Sequence, residues 1–169
     1  MKKLIIYALV VMTVFISACS KDNGTTSQGN NEVNATIVTS TGTININAKG
    51  TKAIVKCSYT LLGVSNYVYG ANDNNAAVSI NIINPANPNA TITSPGTYNM
   101  SCEYKMNKAD PNAGYFLING LNAGSITVTA ANDHHMEGNF TSVARCAGGN
   151  GCVYNKDSVL ISGTFKGDY

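Results

Sequence analysis

Apolar and polar residues alternate along most of this chain. Tyr98, Met100, Cys102, Tyr104 and Met106 make an apolar face, while Thr97, Asn99, Ser101, Glu103 and Lys105 make a polar one. Val55, Cys57, Tyr59 and Leu61 repeat the pattern, as do Val78, Ile80 and Ile82. Two further runs are Ile126, Val128 and Ala130, and Val159, Ile161 and Phe165. A period of two marks strands with one buried and one wet face, which antiparallel sheets tolerate and buried parallel sheets do not. No long segment carries a helical period. Turn formers separate the runs: 72–75, 84–89, 94–96, 110–114, 119–120 and 132–135. The pattern predicts an all-β domain, an antiparallel β-sandwich or small β-barrel of about eight to ten strands.

The N-terminus breaks this pattern. Lys2 and Lys3 precede an apolar run from Leu4 to Ile16, and Ser17-Ala18-Cys19 follows. The run is shorter than the roughly twenty residues that span a bilayer, so it reads as a secretory signal peptide. Ile16-Ser17-Ala18-Cys19 resembles the bacterial lipoprotein lipobox. The resemblance implies cleavage before Cys19, diacylation of its sulfur and acylation of its new amino group. The expected organisation is a lipoprotein signal peptide over 1–18, a lipidated Cys and flexible tether over 19–35, and one β domain over 36–169. Residues 20–35 are almost free of apolar side chains and cannot offset their ordering entropy by burial. Ser20-Lys21-Asp22 resembles the surface-export signal of Bacteroidota lipoproteins, but departs from it at Asn23, where a second acid is usual. The expected location is therefore the outer membrane, lipid-anchored, at its periplasmic face or on the cell surface.

Charge narrows the choice of partner. From residue 19 onward eight Lys and one Arg balance six Asp and three Glu. A neutral chain without a basic stripe offers no electrostatic grip on nucleic acid. Asparagine is abundant in the turns. Sugar-binding amides are one reading; turn chemistry with the bias of an AT-rich genome is the favoured one.

With Cys19 given to lipid, Cys57, Cys102, Cys146 and Cys152 remain, an even number that reads as two disulfides in an exported domain. Cys146 and Cys152 enclose a Gly-rich loop suited to a local bridge. Cys57 and Cys102 fall on apolar strand faces, where a core bridge is plausible and free buried thiols are the alternative. The spacings are too long for a zinc site. Asp133-His134-His135-Met136-Glu137 gathers two His and two carboxylates, but adjacent His diverge in extended chain and a hairpin turn is expected there. Neither a nucleophile elbow, a P-loop nor a dinucleotide fingerprint is present. The expectation is no metal, no cofactor and no enzyme. Asp157-Ser158-Val159 matches an Asp-Ser/Thr-apolar O-glycosylation signal, although Ser158 opens a strand.

Met136-Glu137-Gly138-Asn139-Phe140 and Ile161-Ser162-Gly163-Thr164-Phe165 repeat an apolar-x-Gly-x-Phe element. Over about residues 95–169 the chain resembles an uncharacterised small β-rich lipoprotein family of Bacteroidota. The family brings no activity, cofactor or catalytic residue to carry over. Physically, each Gly leaves room beside a Phe or allows close backbone approach. Three functions fit: a non-catalytic binding or accessory module contacting a glycan, protein or small apolar ligand; a structural or interaction module of the envelope; and a lipocalin-like carrier. Tyr67 and Tyr69, on one strand face, are the expected contact surface, with burial in the core as the alternative.

Overall fold

The computed structural model describes residues 30–60, 63–118 and 124–169. Among them the fold is all-β, as the alternation predicts. Ten strands form one antiparallel sheet: β1 (Glu32–Thr39), β2 (Gly42–Lys49), β3 (Ala53–Thr60), β4 (Gly63–Ala71), β5 (Ala77–Ile83), β6 (Gly96–Lys105), β7 (Tyr115–Ile118), β8 (Ser125–Asn132), β9 (His135–Gly148) and β10 (Ser158–Asp168). A 3-10 turn at Gly50–Lys52 links β2 to β3. The strands meander from β3 to β10, and β10 then pairs with β1, which pairs with β2. β7 and β8 share one position in the sheet. β6 pairs with β8 through Gly96–Asn99 and with β7 through Cys102–Lys105, and the long β9 backs both.

The turns show what the asparagines do. The side-chain oxygens of Asn72, Asn84, Asn87, Asn107, Asp110 and Asn132 each accept a hydrogen bond from the backbone N–H two residues on. This side-chain mimicry of a backbone turn is why Asn and Asp favour these places. Asn72 also accepts from Ala76 N, and Asn75 adopts a left-handed φ of 61°. These amides are committed to the fold.

The predicted apolar faces point inward. Val55, Val78, Ile80, Ile82, Met100, Cys102, Tyr104, Ile126, Val128, Val159, Ile161 and Phe165 are buried in one core, with Tyr98 and Met106 packed against it. The side chain of Tyr59 and all of Leu61 lie outside the described residues. β1 corrects the expected domain boundary: it starts at Glu32, and Val33 and Ala35 are buried. Residues 32–35 are therefore core strand, not tether. Single apolar residues set between Glu32, Asn34 and Thr36 look polar by composition, yet their period of two is that of a strand.

The repeated Gly and Phe interlock. In the β9–β10 ladder Gly163 lies opposite Phe140, and Gly138 lies opposite Phe165. A Cβ at Gly163 would stand 2.6 Å from Phe140 Cζ, and one at Gly138 would stand 3.0 Å from Phe165 Cε1. Each ring thus covers the glycine of the other repeat. The sheet also curls on itself. A Cβ at Gly70 of β4 would meet Val33 Cβ of β1 at 2.9 Å, and one at Gly167 of β10 would meet Val55 Cβ of β3 at 2.5 Å.

The cysteines divide unevenly. Cys146 and Cys152 form the expected local disulfide, Cα atoms 6.0 Å apart. The expected core bridge between Cys57 and Cys102 is absent, because Cys102 is a free buried thiol. The reason is topological. Cys57 is on β3 and Cys102 on β6, with β4 and β5 between them. Three strand spacings amount to roughly 14 Å, about twice the Cα separation a disulfide can span. Burial, aided by Glu103, pushes the Cys102 thiol up to about 12, so it behaves as a small apolar side chain.

Candidate functional site

Alternation places the other half of each strand on the outer face. Across β2, β1, β10 and β9 that face is graded in rows set by the ladder registers. The first row is charged: Lys49, Glu32, Lys166 and Glu137 lie side by side with alternating sign. Lys49 Nζ and Lys166 Nζ each stand 3.4 Å from a Glu32 carboxylate oxygen. The Asn34 amide donates to Glu32 and, with the two lysines, holds its carboxyl below the usual range. A cleft of about 340 Å³ runs over this row and is lined by Glu32, Asn34, Glu137, Asn139 and Lys166. Its two carboxylates flank one lysine. The Asn34 hydrogen bond, and after it the two lysines, favour the charged form of Glu32, the opposite of what a carboxyl proton donor needs.

The histidine cluster opens beside this row. Asp133 and His134 form the two-residue turn between β8 and β9. His134 is exposed, whereas His135 Nδ1 lies 2.7 Å from Asp168 Oδ1 and its Nε2 lies 3.7 Å from Glu137 Oε2. Asn30 Nδ2 donates to the other Asp168 oxygen at 3.1 Å. Hydrogen bonds from His135, and then from Asn30, lower the Asp168 pKa. The cluster ties the start of β9 to the end of β10 and to the incoming chain. Among the described residues no group of three or more His, Cys, Asp or Glu is placed to hold a metal ion.

Two uncharged rows follow. Asn47, Asn34, Thr164, Asn139 and Thr127 form one; Asn45, Thr36, Ser162, Thr141 and Ser125 form the other. The last row is apolar, with Val38, Leu160 and Val143 opposite one another on β1, β10 and β9. All three are exposed, Val143 by 57%. A second cleft, about 300 Å³, joins Val143 to Leu117, Arg145, Ala147, Tyr154 and Asn155. Tyr154 is 65% exposed, and Val153 beside it is exposed too. Of the five large exposed apolar side chains among the described residues, the ladder and the cleft thus join four, Val38, Leu160, Val143 and Tyr154. Wet surfaces scatter such residues singly, and a gathered patch marks a contact site.

The loop that presents Tyr154 is fixed from several directions. The Cys146–Cys152 bridge closes it. Gly149 and Gly151 have φ near +90°, and Asn155 has φ 56°, so the chain turns where L side chains resist turning. Asn155 N donates to Cys146 O at 3.0 Å, and Val153 N donates to the Asp157 carboxylate at 2.7 Å. Asn150 exchanges backbone hydrogen bonds with Asn112 and Gly114. Ser158 is exposed at the start of β10, opposite Arg145.

Tyr67 and Tyr69 also face outward, since their neighbours Asn66, Val68 and Gly70 point into the core. The core alternative for this pair is therefore overturned. Their rings are parallel to within 12°, with centroids 6.4 Å apart. Both are half-buried. The Tyr67 hydroxyl donates to Ser79 Oγ at 3.3 Å, and Lys108 Nζ donates to the Tyr69 hydroxyl at 2.9 Å. Their polar tips are engaged, so they offer less free surface than Tyr154. Sequence reasoning missed the apolar row. Its signal is a lapse of alternation: Ile37-Val38 and Val159-Leu160-Ile161 each place an apolar residue where the outer face should be polar. Cys19 and the segment before it lie outside the described residues.

No helix among the described residues is long and apolar enough to cross a membrane. No protein-family model, no curated protein and no solved structure matches the chain.

Proposed function

We propose that this chain is a lipid-anchored envelope lipoprotein of the small β-rich Bacteroidota type. In this reading it is held by lipid on Cys19, and its domain is a non-catalytic binding module at the outer membrane. The observation that carries the binding role is the apolar row Val38–Leu160–Val143 beside the cleft under exposed Tyr154. A charged and hydroxylated outer face gains nothing from such a patch unless something covers it. The interior favours a surface site over a carrier, because Tyr104, Met100, Phe140, Ile161 and their neighbours fill it with packed side chains. The anchor is supported by the lipobox sequence alone.

Hydroxyl-radical footprinting tests the binding role. In intact envelopes Tyr154 and Val143 are expected to be protected relative to the exported chain purified in detergent. The exposed His134 should label equally in both. Equal labelling of Tyr154 in the two settings would contradict the proposal. Replacing Cys19 with Ala tests the anchor separately, since it should abolish fatty-acid labelling and release the chain from membranes.

A further inference from the structure

The Tyr154 cleft combines an exposed aromatic ring, an aliphatic floor from Leu117 and Val143, one guanidinium from Arg145 and one amide from Asn155. Among the described residues no carboxylate lines it. From Val143 the outer face of β9 continues to Thr141 and Asn139, in the two rows that hold only Asn, Thr and Ser across five strands. A sugar ring has apolar C–H faces and a rim of hydroxyls. The faces suit an aromatic wall, and the hydroxyls suit amides, hydroxyls and a guanidinium, which supply donors and acceptors together. An acidic polymer needs a basic track, which these rows lack. An apolar peptide would leave the rows facing groups that cannot pair with them.

We propose that this cleft and the adjoining rows bind a neutral glycan strand, with Tyr154 as the stacking wall and Arg145 and Asn155 as ligands of sugar hydroxyls. The inference rests on the reading of the patch as a contact surface and names its ligand class. The cleft of about 300 Å³ accommodates a short stretch of such a strand. The disulfide and the bond from Asn155 N to Cys146 O hold the loop in place beforehand, so binding orders little that is mobile.

Native affinity gels test this with the exported chain in detergent. The gels are cast with mixed-linkage β-glucan, mannan or xylan, and with polygalacturonate as the anionic comparison. At least one neutral polymer should retard the chain, and polygalacturonate should not. Tyr154→Ala should weaken retardation roughly tenfold or more, as loss of a central aromatic anchor does, with its melting temperature unchanged. Tyr154→Phe should retain retardation, and the Tyr67→Ala/Tyr69→Ala double variant should bind as wild type does. Three results would overturn the proposal: no retardation by any neutral polymer, retardation by polygalacturonate alone, or wild-type retardation of Tyr154→Ala. If the gels fail while Tyr154 stays protected in envelopes, the glycan assignment falls and the binding module stands. If protection is also absent, both fall.

Discussion

The two faces of the β9–β10 ladder use the same strands for opposite ends. Inside, Gly163 faces Phe140 and Gly138 faces Phe165, each ring filling the space the opposite glycine leaves. Outside, the same ladder sets Leu160 against Val143 in open solvent. Inner residues have no room to change, whereas outer residues touch little of their own chain. Apolar burial is therefore being spent on folding on one side and left free for contact on the other. Substitutions on the two faces should separate stability from binding.

The largest effect is expected inside. Gly163→Ala would put a Cβ 2.1 Å from Asn34 O and 2.6 Å from Phe140 Cζ. Backbone on one side and a buried ring on the other prevent easy relief, so overpacking should cost about 3 kcal/mol or more. Chemical denaturation would read this as a lowered midpoint. Next comes the bridge beneath the Tyr154 loop. Replacing Cys146 and Cys152 with Ser should cost about 2 kcal/mol by the chain-entropy estimate for so short a loop. Reductant should lower the wild-type melting temperature by more than it lowers that of the double variant, which no longer has this bridge to lose.

Smaller still is Tyr104→Phe. Tyr104 is fully buried against Phe116, and its hydroxyl has no hydrogen-bond partner among the described residues. Burial has raised its pKa. Removing that hydroxyl should stabilise the domain by about 1 kcal/mol, since an unpaired buried polar group costs more than it returns. A fall in melting temperature would show that the hydroxyl is satisfied.

The charged end of the outer face should respond only to pH. The pKa of Asp168 is lowered in the folded chain by His135 and Asn30. Its contribution is present above the ordinary carboxylate range and is lost as pH falls through the lowered folded value. The contribution is small because the group is exposed to screening solvent. A pH series of melts should show a shallower acid limb in His135→Asn than in wild type. An identical limb would remove His135 from that role.

Much of this arrangement was legible in the chain. Period-two runs located the core faces of β5, β6, β8 and β10, and the Gly-rich spacing located the Cys146–Cys152 bridge. Asn-rich stretches marked turns because the side-chain oxygen forms the turn with its own backbone. β1 was hidden because its core residues Val33 and Ala35 are small and isolated among polar ones. The free Cys102 was hidden because strand alternation reveals which face a residue occupies but not how many strands separate it from another. The apolar row was hidden for a related reason. Val38, Leu160 and Val143 belong to three strands, and only the ladder registers bring them side by side. Tyr67 and Tyr69 were correctly joined on one face, but the sequence alone left that face unassigned between core and solvent.

The central claim is that the outer apolar row is held for contact and not for folding. The most direct measurement is the footprint of Tyr154 in intact envelopes for the Val143→Thr/Leu160→Thr double variant, run beside its thermal melt. The account predicts a melting temperature within about 2 °C of wild type, since exposed substitutions fall within about 0.5 kcal/mol, together with loss of the protection that wild-type Tyr154 shows. Retained protection, or a melting temperature lowered by about 8 °C or more as a core substitution would lower it, would contradict the account.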